Sequence, residues 1–191
     1  MSSLDQDFEE LRRRVRNGRE LNSASYEPIF YLVFHPREML TVKRMLAKWK
    51  VRFEQDGWKV HQFSVAEAIN SILGNNDLRD VWLMSEEDDP LNFPEYAKTM
   101  GKALTEDKSL ENALHSKLSE LSEANKDLLL VTDLEALHPF LRIGAIETRL
   151  QGKFNVPTIF FYPGERCGKT RLSFLGFYPE DGNYRSVHVG G

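Results

Sequence analysis

The sequence predicts an α/β fold: a four- to five-stranded, mainly parallel sheet with helices on both faces. Three observations carry that expectation. Apolar runs of strand length, such as Pro28-Ile29-Phe30-Tyr31-Leu32-Val33-Phe34, lack polar alternation, which marks strands covered on both sides. Helix-length segments with apolar residues three and four apart lie between them. The stretch 127–170, DLLLVTDLEALHPFLRIGAIETRLQGKFNVPTIFFYPGERCGKT, then gives buried strand, helix, second buried strand and a Gly-containing loop. That order belongs to nucleotide-handling α/β proteins.

Each element has its own justification. Residues 5–20 form an amphipathic helix, with Phe8, Leu11 and Val15 on one face and Arg12, Arg13, Arg14, Arg16 and Arg19 balanced by Asp5, Asp7, Glu9, Glu10 and Glu20. Such mixed charge reads as ion pairs on a solvated helix rather than a nucleic-acid arm. A polar break at 22–25 separates an N-terminal helical extension, 1–25, from a single α/β domain, 26–191. The run at 28–34 is the first strand. Residues 37–56 are the clearest helix, with Val42, Met45, Leu46, Trp49 and Phe53 at helical spacing and Gly57 as its stop. Residues 58–65 alternate as a second strand, closing a βαβ unit. A short helix over 66–73 follows.

Residues 75–106 are the least regular stretch. Seven acids face one base between Asp77 and Glu95, and Pro90 and Pro94 preclude one long helix. The expectation is a solvated acidic loop without the converging geometry a divalent metal needs. Trp82, Leu83, Leu91 and Phe93 interleave with the acids, so the excursion tucks onto the core or meets a partner. Leu110, Leu114, Leu118 and Leu121 define another helix, 127–133 the third strand, a helix opened by Pro139 the next element, and 156–162 the fourth strand. Residues 172–178 are a candidate fifth, and 184–189 a terminal extended piece.

At 191 residues the chain suits one well-buried domain. No apolar run approaches the ~20 residues of a bilayer span, the first twenty residues lack the apolar core of a secretory signal, and a lone Cys167 excludes an internal disulfide. A cytoplasmic protein with no membrane association is expected. A net charge of −4 argues against direct DNA binding.

No motif in the sequence assigns catalytic, cofactor-binding or metal-binding residues. Gly164-Glu165-Arg166-Cys167-Gly168-Lys169-Thr170 evokes a phosphate loop, but three residues separate its first two glycines where four are needed, and the sequence after it is strand-like rather than helical. The core is thus NTPase-like without a functional P-loop. Asp133 ends its strand as a magnesium-positioning residue would, yet an Asp hydrogen-bonding the next turn is the simpler account. Cys167 beside Arg166 and Lys169 has surroundings that lower a thiol pKa but lacks a neighbouring base. Five scattered histidines offer no zinc spacing.

The motifs Tyr31-Leu32-Val33-Phe34-His35-Pro36, Leu130-Val131-Thr132-Asp133 leading to His138-Pro139-Phe140-Leu141-Arg142, Val156-Pro157, Phe161-Tyr162-Pro163-Gly164, Arg171-Leu172-Ser173-Phe174-Leu175-Gly176 and Tyr184-Arg185 occur in order from about 26 to 185. On these the chain resembles the BrxB family, a small component of bacteriophage exclusion (BREX) defence systems. The resemblance implies a non-enzymatic assembly or regulatory subunit without assigned catalytic residues or cofactors. It also implies an alkaline-phosphatase-like PglZ protein as direct partner and other BREX components alongside. Ligands of such sheets gather at strand carboxyl ends, and Tyr and Arg favour interface centres. Tyr162, Gly164, Arg166, Arg171 and Arg142 are therefore the candidate partner contacts. The alternative is a degenerate nucleotide-binding or DNA-contacting accessory of the same system. The sequence leaves oligomeric state open.

Overall fold

A computed structural model describes residues 3–18, 27–168, 171–182 and 186–191. Arg19, Glu20, the polar break at 22–25, Tyr26, Lys169, Thr170, Tyr184 and Arg185 lie outside the described residues. The strands are β1 (Ile29–Phe34), β2 (Lys59–Ser64), β3 (Asp127–Thr132), β4 (Thr158–Cys167), β5 (Arg171–Phe174), β6 (Glu180–Gly182) and β7 (Val187–Gly190). The helices are α1 (Ser3–Gly18), α2 (Met39–Gln55), α3 (Val65–Gly74), α4 (Arg79–Asp88), α5 (Phe93–Thr105), α6 (Ser109–Ser119) and α7 (Ile143–Arg149).

Five strands lie in the order β2-β3-β4-β1-β7, and every neighbouring pair among them is parallel. The distal half of β4 pairs antiparallel with β5, and β5 with β6. The α/β class and mainly parallel sheet thus agree with expectation, but the described residues form seven strands. β6 and β7 are three and four residues long, too short to carry a periodic signal. The crossover through α2 joins strands that are not neighbours, because β3 and β4 lie between β1 and β2.

Alternation along the strands divides the interior in two. Tyr31, Val33, Leu129, Val131, Phe160 and Tyr162 face a layer that includes α3, α6 and α7. Phe30, Leu32, Phe34, Leu128, Leu130, Ile159 and Phe161 face α1 and α2. On that second face Phe8 stacks on Trp49 at 4.7 Å between ring centroids and meets Phe53 edge-on at 5.3 Å. Each such fully buried side chain contributes about 1.5–3 kcal/mol. Asp56, just past α2, accepts from Arg12 at 2.8 Å and Arg16 at 2.6 Å, so the charged side of α1 is pinned as well.

Three local expectations need correction. The 75–106 stretch is helical rather than a loop, with α4 and α5 broken around Pro90. Pro94 sits in the first turn of α5, where a missing N–H costs nothing, so the two prolines do preclude one long helix, as expected, and the segment forms two helices on either side of the break. Pro139 does not open a helix. Leu137 carbonyl accepts from the N–H groups of Phe140 (2.7 Å) and Leu141 (2.8 Å), closing a turn, and α7 begins only at Ile143. The segment after the fourth strand is no loop either. β4 runs on through Pro163 to Cys167, exchanging its parallel partner β1 for antiparallel β5.

Candidate interaction surfaces

Sheets of this kind take their ligands at the carboxyl ends of the parallel strands. Asp133 follows β3 in the left-handed region, at φ 60°. Its carboxylate does not cap the next turn as the sequence suggested; its backbone carbonyl does, accepting from Ala136 N–H at 3.1 Å. The carboxylate instead accepts from Ser64 Oγ and Thr132 Oγ1, each at 2.8 Å. Lys43 Nζ, on α2, bridges Asp133 at 2.8 Å and Glu135 at 2.6 Å. Burial pushes the Asp133 carboxyl up, but the hydrogen bonds from Lys43, Ser64 and Thr132 outweigh it and hold the group below the usual carboxylate range. The same two carboxylates, Asp133 first, raise Lys43. Between this network and Phe34, Val42 and Phe161 lies a cavity of about 20 Å³, room for about one water molecule.

The β4–β5 hairpin holds most of the candidate contacts and sorts them differently from expectation. Tyr162 is 1% exposed and packs against Tyr31 and Phe174, so its ring is core. Gly164 is buried too, and a Cβ there would stand 2.3 Å from Ser173 carbonyl oxygen and 2.6 Å from the Tyr162 ring. Glycine is required at that position by the close approach of β5. Arg166 and Arg171 are exposed. The register pairs Arg166 with Leu172 and Cys167 with Arg171, which puts the two arginines on opposite faces of the ribbon. Arg166 Nε donates to Gly168 carbonyl at 3.2 Å, and Arg171 pairs with Glu180 at 2.9 Å. Arg142 joins the turn after β5, its guanidinium 3.5 Å from the Tyr178 ring centroid, a cation–π contact. Tyr178 also bonds His138, stacks on Phe174 and lies tilted against exposed Phe177. The Cys167 thiol is pushed up by desolvation and then by Glu180 and Glu165, the opposite of the lowered pKa its basic sequence neighbours suggested.

The third surface was only half visible in the sequence. No residue of α4 is buried. Leu78, Val81, Leu83, Met84, Leu91 and Phe93 range from 43% to 91% exposed, and of these Leu83, Leu91 and Phe93 were expected to pack or meet a partner. Tyr96 holds the arm together, its hydroxyl 2.6 Å from Ser85 carbonyl and 2.7 Å from that of Asp89. Between α3, α4 and α5 an open groove of about 320 Å³ is lined by Ile69, Leu73, Trp82, Leu83 and Met100. The signal that would have found Leu78, Val81 and Met84 is an apolar content too high for a solvated loop.

Among the described residues no helix is long and apolar enough to cross a membrane, and no three His, Cys, Asp or Glu side chains gather as a metal site. No curated protein and no solved structure matches the chain. A family model described as BREX protein BrxB matches residues 61–189, from β2 through β7 and well over half of the sequence. Its span covers the ordered motifs from Leu130 onward, and the earlier motif at Tyr31 to Pro36 precedes it. The chain belongs to the BrxB family and is a component of the BREX phage-defence system.

Proposed function

We propose that this chain is a non-enzymatic assembly or regulatory subunit of a cytoplasmic BREX complex, acting by docking to the alkaline-phosphatase-like PglZ component. One observation carries the non-enzymatic part. The crevice where an α/β sheet takes its ligand is closed by the chain's own Lys43, which occupies Asp133 and Glu135 and leaves about 20 Å³. A nucleotide needs a site of several hundred Å³. Residues at the carboxyl end of the sheet are then left for protein contact, and the burial of Tyr162 and Gly164 narrows the contact set to Arg166, Arg171 and Arg142. Because Arg166 and Arg171 lie on opposite faces of the hairpin, PglZ seated on one face meets one of them and not the other.

Co-purification of the two proteins tests this. Arg166→Glu and Arg171→Glu are made singly, and loss of the complex in one of them identifies the docking face. A complex unchanged in both, and in Arg142→Glu, removes this surface. The nucleotide alternative is tested by thermal shift with ATP and magnesium. Ligand at about 100 times its dissociation constant adds about 2.7 kcal/mol, and a shift of that size abolished by Asp133→Asn would overturn the non-enzymatic reading.

A further inference from the structure

Two outward helix faces of opposite chemistry remain after the core and the hairpin are accounted for. On α2, Leu40, Arg44 and Lys48 fall at i, i+4 and i+8, with Val51 beside them, opposite the buried Val42, Trp49 and Phe53. Leu40 is 67% exposed and Val51 49%, and both basic side chains are exposed. On α4, Asp80, Met84 and Asp88 fall at i, i+4 and i+8, with Val81 beside them, turned away from the groove that Trp82 lines. Met84 is 67% exposed and Val81 56%, and both acids are exposed. On α4 the two acids flank the apolar pair, Asp80 lying 3.8 Å from Arg79, whereas on α2 the two basic residues lie between Leu40 and Val51. The signs are opposite, and the apolar elements are of similar size.

We infer that these faces bind each other between molecules, so that the outer face of α2 in one copy docks on the α4 arm of a second copy. They cannot meet within one molecule, because α2 packs on one side of the sheet and the layer carrying α3, α5 and α6 on the other. Pairing arm with arm or α2 with α2 would juxtapose like charges, which costs several kcal/mol. The contact is therefore head to tail, leaving a free α2 face at one end and a free arm at the other. This inference is independent of the PglZ contact, which uses the carboxyl end of the sheet.

Sedimentation velocity of the purified full chain, from low to high micromolar, tests it. The wild type gives a mass that rises with concentration above the monomer. That rise diminishes from about 0.1 M to about 1 M salt, as the screening length falls from ~10 Å to ~3 Å. Arg44→Glu/Lys48→Glu and Asp80→Lys/Asp88→Lys each weaken self-association at least ~tenfold. Mixed together, the two variants associate again, because the first keeps a native arm and the second a native α2. Circular dichroism confirms their folding, and Leu40→Ser and Met84→Ser replace any charge variant that fails to fold. A wild type that stays monomeric throughout overturns the inference. So does self-association that survives alterations on both faces, or a mixture that remains monomeric.

Discussion

Helices α1 and α4 are both heavily charged, and the fold treats them oppositely. In α1, Leu4, Phe8, Leu11 and Val15 are at most 2% exposed. In α4 nothing is buried, and Val81 and Met84 are more than half exposed. The difference lies in spacing. The α1 residues recur every three or four positions and make one stripe, which β1, β7 and the aromatic side chains of α2 cover. The α4 residues Val81, Trp82, Leu83 and Met84 are consecutive, so they point around the whole helix, and the one neighbouring layer can cover only part of it. Apolar content alone does not bury a helix.

The contrast can be broken or sharpened by experiment. Phe8→Ala should cost about 3–5 kcal/mol, read as a lower denaturant midpoint, whereas Met84→Ser should stay within about 0.5 kcal/mol. Equal losses would mean that α4 is packed in solution. Gly164→Ala should destabilise by about 1–3 kcal/mol, since the added methyl meets both β5 backbone and the buried Tyr162 ring; a neutral result would show the hairpin is looser than described. Asp127, 4% exposed, accepts from Glu123 N–H at 3.1 Å and lies 2.9 Å from His61 Nε2. Asp127→Ala should cost about 1–3 kcal/mol by stranding these groups, and calorimetry reads it directly.

The smallest effect is electrostatic. The hydrogen bond from Arg12, and then Arg16, hold Asp56 below the usual carboxylate range. A depressed carboxyl contributes stability that is full above its unfolded pKa of about 3.9 and is lost as pH falls through its lower folded value. Between pH 6 and pH 4 stability should thus hold steady as regards this pair, then fall below about pH 4. Asp56→Asn should flatten that acid limb slightly, and Met84→Ser should leave the limb unchanged. An acid limb unchanged by Asp56→Asn would show that the α1–α2 ion pairs contribute nothing measurable.

Much of the core was legible. The uninterrupted apolar runs at 28–34, 127–133 and 156–162 became the three central strands, because a strand sandwiched between layers has no polar side. The candidate contacts were less legible. Tyr162 belongs to the same apolar run as Phe160, and its place on the inward side of β4 depends on where the strand ends. It continues for five residues past Tyr162, and nothing local announces that continuation through a Pro-Gly pair. The exposure of Val81 and Met84 was equally hidden, since it depends on which layer lies next to α4.

Sequence alone determined the class of this protein, its central strands, its family motifs and the stripe that buries α1, because each is written in residues near one another along the chain. Only the tertiary structure decided that Lys43 reaches across from α2 to close the Asp133 crevice, that Arg166 and Arg171 point to opposite faces, and that the α4 arm stands uncovered. Those outcomes follow from strand register and layer placement, which bring together residues tens of positions apart, and local spacing carries no record of such meetings.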